Sequence, residues 1–235
     1  MTVAEIMAHL EAHGSDSIKK ILVKHGVKEP FFGTKIEYMK PIQKKVKQDY
    51  QLAKDLYATG NSDAMYLAGL IADDKKMTPD DLQNWVENAF SNNINEYTVP
   101  WVTAEGSHGL AMALKWIDDP REQVASAGWA TLGNIAALTP DDKLDINLFK
   151  SLIDRVVKTI HEADNRVRYR MNSFVIAVGS YVPALTQEAE AAAKQIGKVS
   201  VEMFGTACKV PDIVEYIDKV RTRGNLGKKK KTVKC

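Results

Sequence analysis

The sequence predicts an all-α protein, and three observations carry that expectation. Apolar residues recur at the helical period, as in Ile6 and Leu10, then Ile18, Ile21 and Leu22, and again in Leu148, Leu152, Ile153, Val156, Val157 and Ile160. Alternating strand patterns are almost absent. Helix-start and helix-stop residues punctuate the chain at intervals that suit short helices.

The starts take a repeated form. Thr78-Pro79-Asp80-Asp81-Leu82 and Thr139-Pro140-Asp141-Asp142 each offer an N-cap hydroxyl, proline at the first helical position and acids in the first turn, so each is expected to open a helix. Gly14, Gly26, Gly60 and the Asp118-Asp119-Pro120 corner supply stops, leaving segments of roughly 10 to 18 residues. Two stretches carry no charge, Val124 to Pro140 and Met171 to Gln187, and both should be central buried helices. Ala125, Ala127, Gly128, Ala130 and Gly133 would let neighbours approach the first closely, and Pro183 should end the second. Roughly a dozen short helices joined by tight turns suit an α-solenoid of stacked antiparallel pairs, with a compact irregular bundle as the rival.

At 235 residues and 45% hydrophobic content, the chain can bury one continuous core. One domain is expected over residues 1–220, followed by a basic tail at 221–235. No apolar run reaches about 18 residues and no secretion signal opens the chain. Cys208 and Cys235 form no metal-ligand spacing, so reduced thiols and a cytoplasmic location are expected. Residues 221–235 hold seven basic side chains and no acid, so a net charge of +2 leaves the body at −5. Such a tail could neutralise phosphates or could be a solvated, frayed terminus.

The order of short motifs along the chain adds a resemblance. Phe31-Phe32-Gly33, the run Ala68-Gly69-Leu70-Ile71-Ala72-Asp73-Asp74, Asn84-Trp85-Val86 and Phe90-Ser91 stand as in the AlkD-like HEAT-repeat DNA glycosylases. Gly205-Thr206-Ala207-Cys208-Lys209-Val210-Pro211 and the end from Gly224 to Cys235 resemble a subset of the same family. The resemblance implies a solenoid of HEAT-like helix pairs whose concave, electropositive face grips double-stranded DNA, and which cuts the N-glycosidic bond of cationic N3- or N7-alkylated purines. It implies no cofactor or metal, and a monomer is expected. A cationic purine leaves readily, so a carboxylate that stabilises the oxocarbenium-like sugar and positions water suffices, with aromatic faces attracting the charged base.

Carried onto this chain, the family's catalytic carboxylate falls on Glu96, one methylene longer than the family's aspartate. That displaces the carboxylate by about 1.5 Å, a misplacement that could cost on the order of 100-fold in rate. The aromatic position before it is Asn92. The arginine position falls on Ser126 and a second aromatic wall on Ser173, with Phe174 adjacent, while Trp101 could supply a displaced wall. The resemblance therefore points to a DNA-binding protein with weak, altered or absent glycosylase activity. An active glycosylase using Glu96 and a protein-binding solenoid scaffold remain as alternatives.

Other residues carry two readings each. Glu96 could simply favour a helix dipole, and Asn92, Asn93 and Asn95 could read base edges or phosphates or could be caps and turns. Arg166, Arg168 and Arg170 stand where they oppose a helix dipole, which suggests phosphate contact or pairing with Glu162 or Asp164. Lys228, Lys229, Lys230 and Lys231 are the tail's candidate DNA contacts. Lys40, Lys44, Lys45 and Lys47 form a solvated face or a backbone-binding stripe. Trp85, Trp101, Trp116 and Trp129 read as core. His9 and His13 lack the acidic partner of a zinc motif.

Overall fold

A computed structural model describes residues 1–235 as thirteen α-helices, one π-helical turn and two short 3-10 turns, with no strand. The all-α expectation holds. The chain forms two compact units: Met1–His108 with Phe204–Thr206 and Lys234–Cys235, and Gly109–Met203 with Ala207–Val233. The expected boundary at residue 221 coincides with neither; it falls near the end of the last helix.

The first unit holds α1 (Val3–Ala12), α2 (Asp16–Lys24), α3 (Ile36–Val46), α4 (Tyr50–Ala58), α5 (Ser62–Ile71), α6 (Pro79–Glu87), a π turn (Ile94–Thr98) and α7 (Val99–Glu105). Its centre is α5, whose ten residues are all buried. Asn61 caps α5 through Oδ1, and the three residues after α4 turn the chain back so that the two helices pack side by side. Asp63 on α5 accepts from the backbone N–H groups of Phe32, Gly33 and Thr34 at 2.7, 2.9 and 3.3 Å. Phe31-Phe32-Gly33 is thus an anchor for the N-terminal helices. Gly33 has φ +77°, and a Cβ there would stand 2.6 Å from the Ser15 carbonyl oxygen, which leaves no room for a side chain.

The second unit holds α8 (Gly109–Trp116), α9 (Glu122–Leu138), α10 (Ile146–Thr159), α11 (Asn165–Tyr181), α12 (Thr186–Ile196) and α13 (Ile213–Thr222). The two charge-poor stretches are α9 and α11, packed along each other as its core. Gly128 lets α9 meet the end of α8, since a Cβ there would lie 2.8 Å from the Ile117 nitrogen. α11 ends at Tyr181, before Pro183.

The two Thr-Pro-Asp-Asp starts diverge. At Thr78 the capping box forms: Oγ1 accepts from Asp81 N–H, and Thr78 N–H donates to the Asp81 carboxylate, both at 3.1 Å. At Thr139 it does not, and the expectation of a helix there is corrected. Residues Asp141–Lys143 make only a 3-10 turn, and α10 begins at Ile146 with Asp145 as its cap. The fourth residue after the cap decides between them. It is buried Leu82 after Thr78 and buried Phe149 after Asp145, but exposed Lys143 after Thr139. A first turn with no apolar residue to bury does not repay its ordering.

Candidate nucleic-acid interface

The segment around the expected carboxylate is tied down before the helix begins. Ser91 Oγ accepts from Lys28 N–H at 2.8 Å and shares a hydrogen bond with Ser62 Oγ at 2.9 Å. Asn92 donates from Nδ2 to the His25 carbonyl at 3.3 Å and lies directly over Gly26, where a Cβ would clash with its amide. Asn92 is therefore committed to the end of α2.

Glu96 then lies in the π turn, 2% exposed. Pro100 has no N–H to offer the carbonyl four residues back, so the α register cannot run through Glu96. The turn widens instead, and Val99 N–H bonds to Ile94 oxygen. Gly69 on α5 admits this wider turn, since a Cβ there would be 2.5 Å from the Thr98 methyl. Asn93 and Asn95 each keep a buried side-chain oxygen without a partner. The aromatics beside the turn are Trp101, 4% exposed and edge-on to Tyr66 at 5.3 Å, and Tyr97, 43% exposed and 6.1 Å from Trp101. Trp101 is core; Tyr97, which follows Glu96 directly, is the exposed ring that the sequence reading passed over.

The basic tail does not fray. Lys234 donates to the Asp74 carboxylate at 2.7 Å and to the Ala72 carbonyl at 3.4 Å, with the two charged side chains only 10% and 7% exposed. Burial raises the Asp74 carboxyl to about 6, despite the opposing pull of Lys234. Lys40 donates to the Cys235 carbonyl, and Tyr66 meets Cys235 as well. In the second unit Lys229 pairs with Asp141 at 2.9 Å and reaches the Ala136 carbonyl, and Lys230 N–H bonds to the Ala137 carbonyl. Lys228 and Lys231 remain exposed.

The arginines of α11 divide by face. Arg168 donates to the carbonyls of His161, Ala163 and Ser200. Its charge, adverse to its own helix, thus serves the carbonyls just past the end of α10. Arg166 and Arg170, at i and i+4, flank Tyr169 with cations 4.6 and 5.3 Å from its ring. Arg170 is 8% exposed. Ser126 donates to the Gln123 carbonyl and Ser173 to that of Tyr169, within their own helices. Phe174 as a lining residue is corrected. It is fully buried against Trp129 at 5.2 Å and Phe149 at 5.9 Å. One residue along a helix is a rotation of about 100°, so Phe174 cannot share the face of Ser173. No group of His, Cys, Asp and Glu is placed to hold a metal, and no helix is long and apolar enough to cross a membrane.

Comparison with known proteins gives this arrangement a context. Residues 6–208 match the family described as DNA alkylation repair enzyme. An uncharacterized protein of Listeria innocua is 31% identical over 96% of this chain and 100% of its own length, and one of Listeria monocytogenes is 31% identical over 95% and 99%. A solved structure aligns over 100% of both chains with 35% identity and a TM-score of 0.92. It is described as representing a new family of proteins related to the HEAT-like repeat DNA glycosylases with affinity for branched DNA structures. The HEAT-like fold expected from the resemblance is therefore shown, and the chain belongs to the DNA alkylation repair enzyme family.

Proposed function

We propose that this protein binds branched DNA and contributes little or no glycosylase chemistry. The observation that carries the reading is the closure of the catalytic neighbourhood. Glu96 is 2% exposed, and Asn92, at the aromatic position, spends its amide on the His25 carbonyl. A carboxylate that stabilises a sugar cation acts beside an aromatic face for the base and a cation for the phosphate, and the positions for these hold Asn92, Ser126 and Ser173, which supply neither. The affinity for branched DNA described for the 35% identical structure supports the choice of ligand. The exposed lysines Lys228 and Lys231 and the half-buried Arg166 beside Tyr169 are the groups to which phosphate contact is assigned.

Binding of three- and four-way junctions and of a linear duplex of equal length, followed by fluorescence anisotropy over a salt series, tests this directly. Junctions should bind more tightly than duplex, with affinity falling steeply as salt rises because phosphates are neutralised. Equal affinity for junction and duplex would remove the branched-DNA reading, and a flat salt response would favour a protein-binding scaffold. Release of N3-methyladenine or N7-methylguanine from alkylated DNA should stay at background for the wild type and for Glu96→Gln. Release by the wild type that Glu96→Gln abolishes would restore the glycosylase reading.

A further inference from the structure

Between α12 and α13 the chain has no regular structure, and its residues from Gly197 to Met203 and from Cys208 to Asp212 form, with the ends of both helices and α11, an open cavity of about 850 Å³. α11 and the turn before it hold this loop and the end of α12 in shape. Asn165 exchanges two hydrogen bonds with the Glu202 backbone at 2.9 and 2.7 Å, Arg168 donates to the Ser200 carbonyl at 2.9 Å, and His161 Nε2 donates to the Ile196 carbonyl at 2.8 Å. The cavity is thus preformed rather than an accident of a loose segment.

Its lining has three chemical parts. Apolar walls come from Val199, Val201, Met203 and Val210. Lys194, Lys198 and Lys209 are exposed around it, and no acid pairs with any of the three. Asp212, the acid of the lining, is turned to α13, where its Oδ1 accepts from Glu215 N–H. The third part is Asn172 on α11, 1% exposed. Its Nδ2 donates to the Pro211 carbonyl at 2.9 Å, which fixes the amide, since an oxygen facing that carbonyl would be repelled. Asn172 Oδ1 is left as a buried acceptor with no donor. Buried acceptors are almost always satisfied, so an exception in the wall of a cavity asks for a ligand that brings an N–H group.

We propose that this cavity receives one unpaired nucleotide of the branched DNA, its base against the apolar walls with an N–H directed to Asn172 Oδ1 and its phosphates among Lys194, Lys198 and Lys209. The inference rests on the branched-DNA reading and names the feature of the branch that is recognised. A volume of this size lies within the range of small-molecule sites. Unsatisfied acceptor, apolar wall and phosphate-seeking cations match, in that order, the edge, face and backbone of a nucleotide. A continuous duplex keeps its bases stacked and cannot fill the site without the cost of unstacking, whereas a branch point supplies an unpaired base at little cost. An exocyclic amino group, which adenine and cytosine carry and thymine lacks, is the favoured partner for the Asn172 oxygen.

The test uses the full chain and three-way junctions that differ only at the branch point: fully paired, or with one unpaired adenine, thymine, abasic residue or 2-aminopurine. The wild type should prefer the unpaired adenine junction over the abasic one by about tenfold, with thymine between them, and 2-aminopurine fluorescence should change on binding. Asn172→Leu should erase the adenine preference while fully paired junctions still bind. Lys198→Glu with Lys209→Glu, both on exposed positions, should remove the fluorescence change even if the buried variant folds poorly. Junction binding with no preference among branch points and no fluorescence change would overturn the cavity assignment and leave the branched-DNA reading intact. Failure to bind any junction would overturn both.

Discussion

The π turn around Glu96 and the cavity between α12 and α13 are built from similar residues to opposite effect. Both place asparagines with unmet amide oxygens beside apolar walls. Around the π turn the chain closes over its polar groups: Ser91 bonds to Lys28 and Ser62, Asn92 to His25, and Glu96 is enclosed. Around the cavity the polar groups are spent on shaping the loop, and the cations are left to solvent. The difference teaches where a ligand can act. A site folded shut over its polar groups offers a ligand little room, and one with open volume and unpaired cations is available for binding.

The largest expected contrast is between Trp101 and Val201. Trp101→Ala should cost about 3 to 5 kcal/mol in urea unfolding, while Val201→Ala on the cavity wall should cost under about 1 kcal/mol. Similar losses at the two positions would erase the distinction between closed and open regions.

Asp74 gives the next largest effect. Burial raises its carboxyl from 3.8 to about 6, so the folded chain holds this proton more tightly than the unfolded one. Its contribution is fully present below pH about 4, declines as pH rises to about 6 and is level above that. At about 1.4 kcal/mol per pH unit the decline amounts to about 2 to 3 kcal/mol. Asp74→Asn should flatten this part of the stability profile, and an unchanged slope would show that another group titrates.

A third test sharpens the fit of the π turn against α5. Gly69→Ala should cost about 1 to 3 kcal/mol by overpacking, and Thr98→Ser, which removes the opposing methyl, should recover most of that loss in the double variant. Additive losses would mean that the contact at Thr98 is not the one that matters. The smallest effect separates the two repeated starts: Thr78→Ala should cost about 1 kcal/mol through the lost cap, and Thr139→Ala close to nothing. Equal melting shifts would contradict the assignment of a cap to one and not the other.

The elements most legible in the sequence were those fixed by local chemistry. α9 and α11 announced themselves by the absence of charge, and Gly26, Gly60 and Pro183 marked real ends because each acts on its own backbone. Thr139-Pro140-Asp141-Asp142 misled because its four residues satisfy the cap rule while the residue that must be buried, Lys143, lies beyond them. The candidate site was legible in part. The resemblance located Glu96 and its missing partners, but closure over Glu96 depends on Gly69, Thr98 and Pro100 acting together across two helices and a turn. Phe174 adjoins Ser173 in sequence but not on the helix face, so the expectation of a lining ring fails there. Asn172 carried no visible signal, since its unmet oxygen is defined by a loop about 40 residues later, beyond the reach of local pattern.

Lys234 and Asp74 meet across 160 residues of chain. The first unit therefore reaches its final polar pairing only after the intervening residues of the second unit have been made. The contact adds a long loop closure to the folding of the first unit.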